Sequence, residues 1–361
     1  MDTSGMMKLM SQFPLAGVRA DRPSEPGLPA GSLQYWTEAA NSGALRRVRL
    51  PQPGPGEVLI ETLHSGISRG TESVVHRGEV PAGITEIMQA PFQLGELPFP
   101  VSHGYLNVGV VRQGSEELLG QTVFTLAGHR EHVVVPEADC HVLPEDCPPE
   151  RALFAGIGEV GLNALWEAPV LAGDRVAVVG GGLIGLTTAL LAAKMPLQRL
   201  QIVEIDPERR EFIGSLGLDA VTPEEAAADN DVVLHSSASS AGLATALRLA
   251  GDDGVIVEQS WYGTGDQQIP LGADFHARRL RILATQVGQV PGPRRMRRTR
   301  GERLATALEM LDPRFDALIS GRSPLAELPS VMRDVANGAP WTREQILHVV
   351  DHPLTEHYAF G

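Results

Sequence analysis

The chain has 361 residues, enough for about two domains at roughly 150 residues each, and 43% of it is hydrophobic, ample for packed cores. A formal net charge of −14 argues against a nucleic-acid or anionic-membrane partner, because both favour a basic surface. Two cysteines, Cys140 and Cys147, give no disulfide framework and suit a reducing cytoplasm, and no apolar run reaches the ~18 residues of a membrane span.

In chain order, residues 1–30 are rich in Ser, Pro and Gly. They lack the basic start and apolar stretch of a signal peptide, so a partly disordered extension is expected there. Residues 45–64 read as strand, Pro/Gly turn, strand. Short β-like pieces follow at Gly109–Val111, Gln121–Leu126 and His132–Val135, as in a small barrel or sandwich. From about Glu150 the pattern changes. Arg151–Trp166 reads as helix. Strands then alternate with helices at Val176–Val179, Leu200–Val203, Asp231–Leu234, Gly254–Glu258 and Leu280–Thr285, the rhythm of a doubly wound parallel sheet. Glu302–Leu311 and Ser323–Asn337 read as helices and Ile346–Val350 as a strand.

Residues 174–185 are the most informative. The β-branched run Val176–Val179 leads into Gly180, Gly181, Gly182, Leu183, Ile184 and Gly185, and Leu186–Lys194 continues as helix. The spacing of Gly180, Gly182 and Gly185 is that of a strand–turn–helix that holds a pyrophosphate on free backbone N–H groups at the positive helix end. Glu204 closes the next strand at the distance expected for an acid on the adenosine ribose hydroxyls. A negative charge there repels a 2′-phosphate, so NAD(H) is favoured and NADP(H) remains open, with Arg209 and Arg210 near enough in sequence to soften the preference.

At this point the chain resembles the medium-chain dehydrogenase/reductase family over roughly residues 45–350. The carriers are PQPGPGEVLIETLHSGIS (51–68), HGYLNVGVV (103–111), HVVVPEADCHVLPED (132–146), the glycine segment and DVVLHSSASSAGLATAL (231–247). The stretch 65–72, Ser-Gly-Ile-Ser-Arg-Gly-Thr-Glu, looks like a branch that includes bacteriochlorophyllide hydroxyethyl dehydrogenases. The resemblance implies an α/β fold: a GroES-like β-barrel catalytic domain at 31–155 and 312–361, and a Rossmann cofactor domain at 156–311. The active cleft lies between them. It also implies a homodimer acting on a small molecule, paired through the sheet edge near Leu280–Thr285.

Many members of that family hold a catalytic zinc on Cys, His and a further Cys or Glu. Here the matching positions are Ser68, Tyr105 and Ala155. None offers the thiolate, imidazole or carboxylate that zinc takes, so no metal is expected. A hydrogen-bond donor or general acid must then serve the reacting oxygen. Tyr105 stands at the place of the zinc-binding His. Glu159, four residues past Ala155, is a second candidate for proton transfer, or else an ion-pair member with Arg69 as a partner. Ser68 and Glu72 are helpers or part of a solvent-facing turn. On the cofactor side the resemblance places His235, Ser236 and Ser237 near the adenosine or ribose, and Ser260, Trp261, Thr285 and Gln286 near the nicotinamide. Arg294, Arg295, Arg297, Arg298 and Arg300 form a basic loop, which suits an anionic substrate, an intersubunit patch or solvent. Three functions stay open: an alcohol/carbonyl oxidoreductase, an ene or quinone reductase, and a non-catalytic dinucleotide sensor.

Overall fold

The computed structural model describes residues 31–272 and 274–354; the expected N-terminal extension at 1–30 lies outside the described residues. The first part of the chain runs β1 (Ser32–Ala39), β2 (Ser42–Val48), β3 (Glu57–Ile67), α1 (Arg69–Arg77), β4 (Leu94–Gly95), β5 (Val101–Ser102), β6 (Asn107–Gln113), β7 (Thr122–Thr125), β8 (His132–Pro136) and β9 (His141–Val142). The middle runs α2 (Pro149–Ala152), α3 (Ala155–Glu167), β10 (Arg175–Val179), α4 (Leu183–Ala192), β11 (Arg199–Val203), α5 (Pro207–Ser215), β12 (Asp219–Val221), β13 (Asn230–His235), α6 (Ser240–Leu249), β14 (Ala250–Glu258), β15 (Arg281–Ala284) and α7 (Arg300–Glu309). Finally come β16 (Ile319–Pro324), α8 (Leu328–Ala336) and β17 (Leu347–Asp351).

Six strands form one parallel sheet in the order β12-β11-β10-β13-β14-β15. Because β10 sits between β11 and β13, the crossovers leave in opposite directions on either side of it. This opens a crevice at its carboxyl end, where such sheets bind ligands. A second sheet, β16-β17-β3-β6-β7-β9 with β8 on β3, is built from both ends of the chain. Strand β17 returns antiparallel to β3, pairing Val350 with Ser65. A third, small sheet runs β2-β1-β5-β4. One apolar cluster joins the first two sheets, with Leu106, Phe124, Phe154 and Leu347 packed in the same core as Val176, Leu186 and Leu234.

Two expectations change. Arg151–Trp166 is not one helix. The chain breaks at Leu153–Phe154, so that α3 starts afresh and lays its glycine-rich face on α4 and on the barrel. Ser323–Asn337 is not helical throughout. Ser323 and Pro324 finish strand β16, a short turn follows, and only Leu328–Ala336 is α-helix.

Candidate functional site

The glycine turn lies at the carboxyl end of β10. Gly180 has φ +108, and a Cβ there would sit 2.9 Å from the Ser237 backbone. Gly185 is tighter: a Cβ would lie 1.9 Å from the Gly180 carbonyl oxygen. Gly182 is the opposite case. It caps α4, is exposed, and has no atom within 4 Å of a Cβ position. The turn is thus sealed below and open above, and Leu183 and Ile184 begin the helix whose N-terminus faces that opening. Ser236 Oγ braces the turn from beneath, donating to the Val179 and Gly180 carbonyls at 3.3 and 3.2 Å.

The Glu204 carboxylate accepts from the backbone N–H groups of Gly181 and Asp206, each at 2.9 Å. It therefore fixes the glycine turn as well as placing charge beside it. Arg210 spends its Nη1 on the Glu204 and Ile205 carbonyls. Arg209 crosses to the other part of the chain, donating to the Arg343 carbonyl at 2.9 Å, and its other terminal nitrogen is buried without a partner. Arg69, at the start of α1, donates to the Thr342 carbonyl at 2.9 Å. Burial, and then repulsion from Arg209, hold its guanidinium below the usual arginine range. Neither Arg69 nor Arg209 has a carboxylate partner among the described residues. Two neighbouring cations without a carboxylate suit an anion. The sequence reading missed this pair, because only folding brings positions 69, 209 and 343 together.

The His235 side chain is buried. It bonds to Glu258 Oε2 and Ser237 Oγ, both at 2.7 Å, and Tyr262 donates to the same Glu258 oxygen at 2.9 Å. Ser237 Oγ lies under Gly242 of α6, so this cluster faces into the fold and ties β13 to β14. Ser260 Oγ accepts from the Ala238 N–H at 3.1 Å. Trp261 packs on Val74, Val75, Val80 and Val101, an apolar cluster of the first part of the chain. Thr285 Oγ1 accepts from Asn163 at 2.8 Å, and Gln286 is exposed at the end of β15.

On the barrel side, the Tyr105 hydroxyl donates to Ser68 Oγ at 2.5 Å and lies 3.4 Å from Thr71 Oγ1. Burial pushes the phenol up to about 12. Ser68 stands at the N-cap of α1 yet makes no capping bond with its side chain. Its hydroxyl is given to Tyr105 instead. Glu72 accepts from the Ser68 N–H at 2.8 Å, and its other oxygen bonds His129 Nε2 at 2.8 Å. His129 continues through Ser65 Oγ (2.7 Å) to His352 Nε2 (2.8 Å). Ser68 and Glu72 are buried, not parts of a solvent-facing turn.

Glu159 is also buried, but its partner is Arg303, at 2.9 Å, rather than Arg69. Burial raises its pKa and the guanidinium opposes that rise. Zinc does not fit this site: Ser68, Tyr105 and Ala155 present a hydroxyl, a phenol and a methyl group. Among the described residues no group of three or more His, Cys, Asp or Glu is arranged to hold a metal. The basic loop at 294–300 is exposed, with Arg294 over the Trp166 ring.

No family model matches the chain. Among curated proteins it is 26% identical over 233 residues to an L-threonine 3-dehydrogenase of Sinorhizobium fredii, covering 57% of this chain and 66% of that one. It is 25% identical over 305 residues to a 2-desacetyl-2-hydroxyethyl bacteriochlorophyllide A dehydrogenase of Rhodobacter capsulatus, covering 77% and 86%. The chain spans 66%, 29% and 57% of the lengths of the first three curated relatives it matches. Among solved structures, acetophenone reductase from Geotrichum candidum in complex with NAD superposes with a TM-score of 0.71 at 14% identity, covering 90% of this chain and 98% of that one. The parallel sheet with its glycine turn, the barrel closed by the returning chain and these relatives agree: the chain belongs to the medium-chain dehydrogenase/reductase family.

Proposed function

We propose that the protein is a zinc-independent oxidoreductase that uses a nicotinamide dinucleotide, NAD(H) before NADP(H), on an alcohol/carbonyl pair of a small molecule. The observation that carries this reading is the Tyr105–Ser68 hydroxyl pair, at positions that the family resemblance matches to metal ligands. A bound dinucleotide supplies the hydride chemistry. The chain's own residues do the rest. The open turn at Gly182 and the N-terminus of α4 receive the pyrophosphate, with Arg69 and Arg209 as counter-charges. Glu204 faces the adenosine ribose. Trp261 closes the cleft by packing across it.

Tyr105 holds its proton at neutral pH, as a phenol does, and burial raises its pKa further. With substrate present the hydroxyl pair turns: Ser68 donates to Tyr105 Oη and Tyr105 donates to the substrate oxygen. Glu159 takes no part in that transfer, since Arg303 holds its carboxylate. The basic loop at 294–300 leaves an anionic substrate admissible. Pairing of two copies through the open edge of β15 fits the exposed Arg281 and Ala284 on that strand.

The test is a screen for NADH and NADPH turnover with a metabolite library, repeated on Tyr105→Phe. The expected result is a kcat lower by about 10²–10⁴ with unchanged cofactor affinity. Wild-type kcat in Tyr105→Phe and in Ser68→Ala would replace this reading with solvent-protonated C=C or quinone reduction.

A further inference from the structure

We propose that Arg303 and Glu159 are positioning residues that set the wall for the nicotinamide half of the cofactor, an inference that rests on the dinucleotide reading above. Arg303 sits in the first turn of α7 with 1% of its surface exposed. Glu159 faces it from α3, across 144 residues of sequence. Glu159 Oε2 accepts from Arg303 Nη2 at 2.9 Å and from Nε at 3.3 Å. The rest of the fork is not spent on charge. Nη2 donates to the Val287 carbonyl at 2.6 Å, and Nη1 donates to Asn163 Oδ1 and, at 3.3 Å, to the Gln289 carbonyl. Asn163 in turn donates to Thr285 Oγ1 at 2.8 Å.

Three tethers therefore hold the segment 285–289, which leaves the carboxyl end of edge strand β15 without regular structure. Buried carbonyls in such a segment need donors, and an arginine fork supplies several from one rigid plane. Stability alone does not explain the arrangement. A buried ion pair is expensive to desolvate, and apolar residues of similar volume often replace one without loss. Here the pair does something apolar residues cannot: it fixes the path of irregular backbone. On the other side of that backbone Gln286 and Gln289 are exposed, at the end of the sheet where the crevice opens. Glu159 keeps the guanidinium in place, and Arg303 keeps the wall in place.

The double variant Glu159→Leu/Arg303→Met removes both charges together and leaves the Val287 and Gln289 carbonyls without their donor. Dissociation constants are measured by fluorescence for NADH and by calorimetry for ADP-ribose, which lacks the nicotinamide. The proposal expects NADH affinity to fall at least tenfold while ADP-ribose affinity stays within twofold. Equal affinities to wild type for both ligands, or an equal fall for both, would overturn it. If the double variant does not fold, Arg303→Lys serves in its place. The lysine keeps the charge beside Glu159 but has no fork, and the same selective loss is expected. Failure of wild-type protein to bind either ligand would instead remove the dinucleotide reading on which the inference stands.

Discussion

At the scale of single residues, the site turns on which partner each polar group has. Ser68 shows this. A serine just before a helix ordinarily caps it, but here the Ser68 hydroxyl accepts from Tyr105 while Glu72 accepts from the buried N–H of Ser68 itself. Glu72→Gln should therefore disturb the Ser68–Tyr105 pair without touching either residue. The expectation is a lower kcat with little change in cofactor affinity, read by steady-state kinetics against NADH titration; unchanged kcat would show that the backbone bond does not set the hydroxyl. Glu204 gives a second residue-scale prediction. Its charge should favour NADH over NADPH, each tenfold of preference being about 1.4 kcal/mol. Glu204→Gln should narrow the ratio of the two dissociation constants, and a wild type that binds NADPH more tightly would contradict the assignment. The glycine turn was legible in the sequence because local spacing marks it, whereas Ser68 and Tyr105 were singled out only by the family resemblance. Glu159's partner was not, since Arg303 lies on another helix and only packing of α3 against α7 brings them together.

At the scale of elements, the glycine turn separates fold from function. Gly182 has room around it and Gly185 has none. Gly182→Val should leave the melting temperature near wild type and abolish cofactor binding, because the new side chain stands in the opening above α4. Gly185→Ala should instead destabilise the protein by about 1–3 kcal/mol or more, the cost of overpacking, since its Cβ meets the Gly180 carbonyl. Thermal melts alongside NADH titrations check both; Gly182→Val with native affinity would move the pyrophosphate elsewhere. The parallel strands were readable as β-branched runs at even intervals. The hairpin β1–β2 was not recognised, although Asn41 at φ +59 is a usual turn residue. Helix α1 was hidden because it has nine residues with a glycine at its second position; its packing against α8 supports it more than its own propensity. Near residue 323, Pro324 ends a strand rather than starting a helix, a distinction that depends on the pairing of β16 with β17.

At the scale of the molecule, the barrel carries an acid-sensitive interior. Burial pushes His103 and His348 down to about 4 and His352 to about 3. In the unfolded chain these groups bind protons near pH 6.5, before the folded protein does. Stability is thus fully present above about pH 6.5 and is lost as pH falls from there toward 4. For His103 alone the loss over that interval is about 3 kcal/mol. Chemical denaturation at pH 7.5 and 5 should show a marked drop, and equal stability at both would mean the histidines are not buried as described. The exposed edge of β15 gives the oligomer prediction: a dimer mass by sedimentation at micromolar concentration, with a monomer contradicting it. The central claim is that a hydroxyl pair stands in for a metal. Elemental analysis of purified, cofactor-binding protein tests it most directly. No stoichiometric zinc is the predicted result, and one tightly held zinc per chain would contradict it.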